Sequence, residues 1–196
     1  MPQTLVKLVG RDLTALTPHL ALRPEAAAAI AGCTEVSVAL DRLERAGFLT
    51  EATRLVAHAL PKLEAVWWAC MCVSHTAPAD LPAVDHAARE AAEDWVRQQT
   101  DKTRRIAWGQ AQSGGCGSPE AWAAIAAFWS GDSMSPEGQP AVPPAPHLAG
   151  TAAAGAVALA SVRGEVTRRD ARLRRFLESG RNIATGGPGR LPAEPA

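Results

Sequence analysis

Apolar residues recur at intervals of three and four along most of the chain, and strand-like alternation is nearly absent. That period predicts an all-α fold. Pro24 followed by Glu25 and an alanine run opens a short helix that stops at Gly32. Thr34 then caps a helix carrying Val36, Leu40 and Leu43, closed by Gly47, and Thr50 caps a third that reaches Leu60 before Pro61 interrupts it. The run 61–75 is apolar nearly all round, which predicts a central helix surrounded by others. Pro82 opens a helix with Val84, Ala88, Ala91, Ala92 and Trp95 on one face and solvated Arg89–Glu93–Arg97 pairing on the other. Thr100 or Asp101 starts the next, which ends at Ser113-Gly114-Gly115, and Ser118-Pro119-Glu120 starts a helix packing Trp122, Ile125, Ala126 and Trp129.

Residues 131–147 hold five of the fifteen prolines, so a long, partly extended connection is expected there, lying along the surface. Leu148, Ala152, Gly155, Leu159 and Val162 form a narrow stripe beyond it, flanked by small residues suited to close packing. A last helix, about 166–184, packs Val166, Leu173, Phe176, Leu177 and Ile183. The expected organisation is an N-terminal arm over 1–23, an all-α domain over 24–184 and a flexible tail over 185–196. Seven or eight helices, paired antiparallel, would be built around helices 61–75 and 119–130.

Composition agrees: 47% hydrophobic residues in 196 are enough for one domain with a real core. All six tryptophans fall between Trp67 and Trp129, and there is no tyrosine, so the middle third carries the bulk. Spacing assigns Trp67, Trp122 and Trp129 to core stripes, while Trp108 is expected half-exposed and stacked with Arg104. Formal charge is zero overall but uneven: 146–196 carries eight basic and four acidic residues. The longest apolar run, 148–162, is too short to span a bilayer of about 30 Å, so no membrane partner is expected. Residues 1–22 contain Lys7, Arg11 and Asp12 and no apolar core of a secretion signal, which points to a cytoplasmic protein with reduced thiols.

The segments HALPKLEAVWWACMC, AAFWSGDSM running into VPPAPHLAG, and FLESGRNIATGG resemble the landmarks of an uncharacterised bacterial family known only as a domain of unknown function. The resemblance spans residues 24–184. It implies a setting beside type VI secretion components, among adaptor, spike-tip and cargo genes, and no catalytic residues.

Candidate chemistry is sparse. Cys70 and Cys72 point about 200° apart on one helix and cannot share a metal. Cys72 and His75 share a face, but two ligands make no site, so neither metal nor cofactor is expected. Hydrolase motifs and phosphate loops are missing, and the 113–118 glycine-rich stretch reads as a helix–helix connection rather than an anion site. Two surfaces remain. Glu64, Trp68, Met71 and His75 form a stripe turned away from Leu63, Val66, Trp67, Cys70 and Val73. Either a second helical layer covers it, or Trp68 and Met71 line a groove for a partner helix or peptide. Arg168, Arg172 and Arg175 share a stripe near the C-terminus, suited to an acidic protein partner; Glu165, Asp170 and Glu178 dilute it for nucleic acid. The expected function is a non-enzymatic interaction protein, an adaptor or chaperone serving secretion cargo. The alternative is a small-molecule or cysteine-dependent redox protein with a pocket beside Trp68.

Overall fold

The computed structural model describes residues 4–195, and every regular element among them is helical. Residues 1–3 of the expected arm and residue 196 of the expected tail lie outside the described residues. The α-helices are α1 Leu13–Leu16, α2 Pro24–Ala29, α3 Val36–Arg45, α4 Leu49–Ala59, α5 Lys62–His75, α6 Ala83–Gln98, α7 Asp101–Ser113, α8 Pro119–Trp129, α9 Leu148–Ser161 and α10 Arg169–Ala184. Eight of these have ten or more residues, and short 3₁₀ turns add Val6–Leu8, Thr17–His19 and Val166–Arg168.

Local chemistry explains the boundaries. Ser118 Oγ accepts from the Ala121 N–H at 3.1 Å with Pro119 in the first helical position, and Thr100 caps α7 through the Thr103 N–H. α3 and α7 end alike: Gly47 and Gly115 take left-handed φ of 78° and 69°, and Phe48 and Cys116 N–H return to the Leu43 and Ala111 carbonyls at 2.9 Å. The glycine-rich stretch after α7 is therefore a helix stop. Thr34 and Thr50 do not cap: α3 and α4 start after Glu35 and Phe48, and the Thr50 hydroxyl instead takes a hydrogen bond from Arg169.

α9 runs through the middle, packed on α4, α5, α8 and α10, while α8 adds contacts to α5, α6 and α7. Ala149, Ala152, Ala153, Ala156 and Ala160 face inward, and Leu159 and Val162, expected on the packing stripe, are exposed. Close backbone approach decides this orientation. A Cβ at Gly155 would stand 2.8 Å from Trp122, so alanine and glycine, not leucine, fit the seam. Glu120, fully enclosed in the first turn of α8, pairs with Arg163 at 2.5 Å.

The 131–147 connection is pinned rather than simply extended. Met134 N–H donates to the Val142 carbonyl at 2.8 Å, and buried Arg104 donates to the carbonyls of Phe128 at 3.0 Å and Ser133 at 2.7 Å. Arg104 therefore satisfies the C-terminal end of α8 and closes the loop. Its guanidinium lies 4.9 Å over the Phe128 ring, on which Trp108 stacks at 4.8 Å, so the expected Arg104–Trp108 pair is replaced by a three-part stack.

Within the described residues both terminal segments pack on the helices: Leu5, Leu8, Leu13 and Leu20 of the expected arm are buried in the same core. Residues 188–194, expected as part of a flexible tail, run back across α5 and α10 and bond to both. No helix among the described residues is long and apolar enough to cross a membrane.

Candidate functional site

The predicted partner face of α5 is closed. Trp68 is fully enclosed and is the bulkiest such side chain; its Nε1–H donates to the Phe176 carbonyl of α10 at 2.8 Å. Gly180 permits this approach, since a Cβ there would lie 3.2 Å from Trp68 Nε1 and 2.8 Å from Val56. His75 is also buried, edge-on to Phe176, with Nδ1 donating to the Pro192 carbonyl. Met71 is half-buried against the core, and Glu64 is tied to Lys7 at 2.9 Å. The second layer is thus α10 with the C-terminal strap. Trp67, expected inside, is the half-buried one, and its Nε1–H donates to the Pro188 carbonyl at 2.7 Å.

The arginine stripe is likewise not a free patch. Arg172 is buried, with Nη1 donating to the Ser161 carbonyl at 3.2 Å and the Arg163 carbonyl at 2.5 Å, and with Nη2 meeting the Glu194 carboxylate at 2.6 Å. It satisfies the end of α9 and anchors the strap in one step. Arg172 also holds the Glu194 carboxyl below its ordinary range, chiefly by hydrogen bonding. Arg168 pairs with Glu165 at 2.8 Å and reaches Glu194, leaving Arg175 as the exposed member of the three.

The two thiols of α5 lie in surroundings that disfavour the thiolate. Cys70 and Cys72 are buried, and burial pushes both thiols well above their usual range. Cys33 and Cys116 are free and half-buried. Among the described residues no group of three or more His, Cys, Asp and Glu side chains is arranged to hold a metal.

An open concave surface lies elsewhere, between the Val6–Leu8 turn, α3 and α10. It encloses about 690 Å³, with Leu5, Leu8 and Val9 on one wall and Glu35, Asp41 and Glu178 among the polar residues. Arg181, the one basic lining residue, is engaged between Asp41 at 2.6 Å and Glu44 at 2.9 Å. Val6, Val9 and Val38, on the same elements, are exposed at 56%, 67% and 43%. The surface is therefore mixed, with Val9 as its exposed apolar member and Glu35 and Glu178 among its carboxylates. Sequence reasoning missed it because its parts lie more than 130 residues apart; the leucine spacing of 5, 8, 13 and 16 was the only signal that the N-terminal segment packs.

Residues 39–184 match the model of a family described as Family of unknown function (DUF6931). No curated protein and no solved structure matches the chain.

Proposed function

The chain belongs to this family of unknown function, and we propose that it is a non-enzymatic interaction protein that docks a basic, amphipathic segment of a partner in the groove between the Val6–Leu8 turn, α3 and α10. The observation that carries this reading is the exposed Val9 set beside Glu35 and Glu178 in one concavity. Apolar residues of the partner would pack on Val9, and lysines or arginines would meet Glu35 and Glu178. The resemblance to proteins set beside type VI secretion genes supports a secretion component or its cargo as that partner, with the protein acting as a cytoplasmic adaptor or chaperone. Burial of Trp68, Cys70 and Cys72 gives the cysteine-dependent alternative no support.

Affinity purification from the native host tests this. The expected result is recovery of a secretion component or cargo with the wild type and its loss with Glu35→Lys/Glu178→Lys, at unchanged thermal stability. Equal recovery with both proteins, or unaltered cargo delivery in a deletion strain, contradicts it.

A further inference from the structure

Three of the five histidines converge from segments far apart in the chain. His19 ends the second 3₁₀ turn, His58 lies in the last turn of α4, and His147 immediately precedes α9. The His19 and His147 rings stack at 4.2 Å between centroids with 8° between planes, and His19 lies 5.7 Å from His58. The three edge a cavity of about 190 Å³ whose other walls include Leu16, Ala57 and Leu60. Lys62 is the one further charged residue lining it, and none of the lining residues is a carboxylate.

The surroundings favour negative charge in the cavity. α5 begins at Lys62 and α9 at Leu148, each a 14-residue helix without a side-chain cap, so their first-turn N–H groups add partial positive charge at its edge. The last carbonyls of α4 oppose this in part. The charged groups around the rings are Arg54, one turn before His58 and donating to the Leu20 and Ala21 carbonyls at 3.2 Å, and Lys62, whose ammonium makes a long 3.4 Å contact with the Ser130 carbonyl. Gly150 lets the α9 backbone lie against His58: a Cβ there would stand 2.6 Å from Nδ1. Metal ligation does not fit, because imidazole lone pairs lie in the ring plane and near-parallel stacked rings direct them side by side.

We propose that this cavity binds a small oxyanion, of phosphate, sulfate or carboxylate type, held by ring N–H groups of His19, His58 and His147 with the Lys62 ammonium. Burial, followed by the nearby His19, His147 and Arg54, lowers the His58 pKa to about 4, so the empty site resists protonation. An anion removes that penalty. Binding therefore takes up protons and strengthens as pH falls, a reciprocal coupling between ligand and proton.

Histidine ring resonances of the whole protein, followed by NMR from pH 7.5 to 4, test the site with inorganic sulfate against sodium chloride at matched ionic strength. Sulfate is expected to raise the His58 midpoint by at least one pH unit and therefore to bind at least about fivefold more tightly at pH 4 than at pH 7.5. His86, outside the cavity beside Glu90 on α6, should titrate identically in both salts. His19→Gln, at an exposed position, should weaken sulfate binding at least fivefold without changing thermal stability at pH 7.5. Acetate separates a carboxylate ligand from a tetrahedral one, and a response to either that chloride lacks supports the site. Equal His58 midpoints in all three salts, or wild-type sulfate affinity in His19→Gln, overturns the proposal.

Discussion

α10 has two faces with opposite fates. One carries Arg172, Phe176 and Gly180 onto the end of α9, the strap and the Trp68 side of α5; the other carries Glu178 and Arg181 to the border of an open groove. One helix thus shows that a charged residue on an amphipathic stripe signals neither exposure nor function. What matters is which backbone ends need a partner nearby. The unpaired carbonyls of α9 recruit Arg172, whereas α3 and the N-terminal turn leave the groove unfilled.

The closed face should respond to mutation far more than the open one. Trp68→Ala removes a fully enclosed indole and its hydrogen bond, and is expected to cost about 3–5 kcal/mol in denaturant unfolding. Trp67→Ala, half-buried, should cost about 1–2 kcal/mol by the same measurement, reversing the order that helix spacing predicts. Arg172→Ala leaves Glu194 and two carbonyls without their partner, at about 3 kcal/mol, with faster amide exchange in the last turn of α5.

A smaller effect comes from pH. The Glu194 pKa is depressed in the folded state, so its contribution is present above the ordinary carboxylate range and lost as pH falls through the folded value. Stability below about pH 4.5 should therefore fall more steeply in the wild type than in Glu194→Gln, as thermal melts would show. Smallest of all, Glu178→Lys in the groove should change stability by no more than about 0.5 kcal/mol, because it is exposed. A large loss there would erase the distinction between the two faces.

Much of this architecture was legible. Proline and glycine punctuation placed the eight longer helices, and Ser118-Pro119 and Thr100 acted as the spacing implied. Facing was harder to read. α5 is apolar nearly all round, so no periodicity distinguishes the side under α10 from the side under the rest of the bundle, and Trp67 and Trp68 were exchanged. The same ambiguity turned α9, where the seam is mostly alanine and glycine with Val157, and Leu159 lies outside. The strap was hidden by its composition: GGPGRLPAEPA offers no helical period, and its anchors are backbone carbonyls, the Gly189 and Glu194 N–H groups and one carboxylate. The groove and the histidine cavity are assembled from residues too far apart for any local pattern to join.

Hydrogen exchange of the two indole N–H groups tests most directly that the Trp68 face is closed by α10 and the strap. The account predicts that the Trp68 Nε1–H exchanges only through global unfolding, while the Trp67 Nε1–H, held by Pro188 of the strap, exchanges faster through local opening. A Trp68 indole that exchanges as fast as that of Trp67 would contradict it and return that face of α5 to the list of partner surfaces.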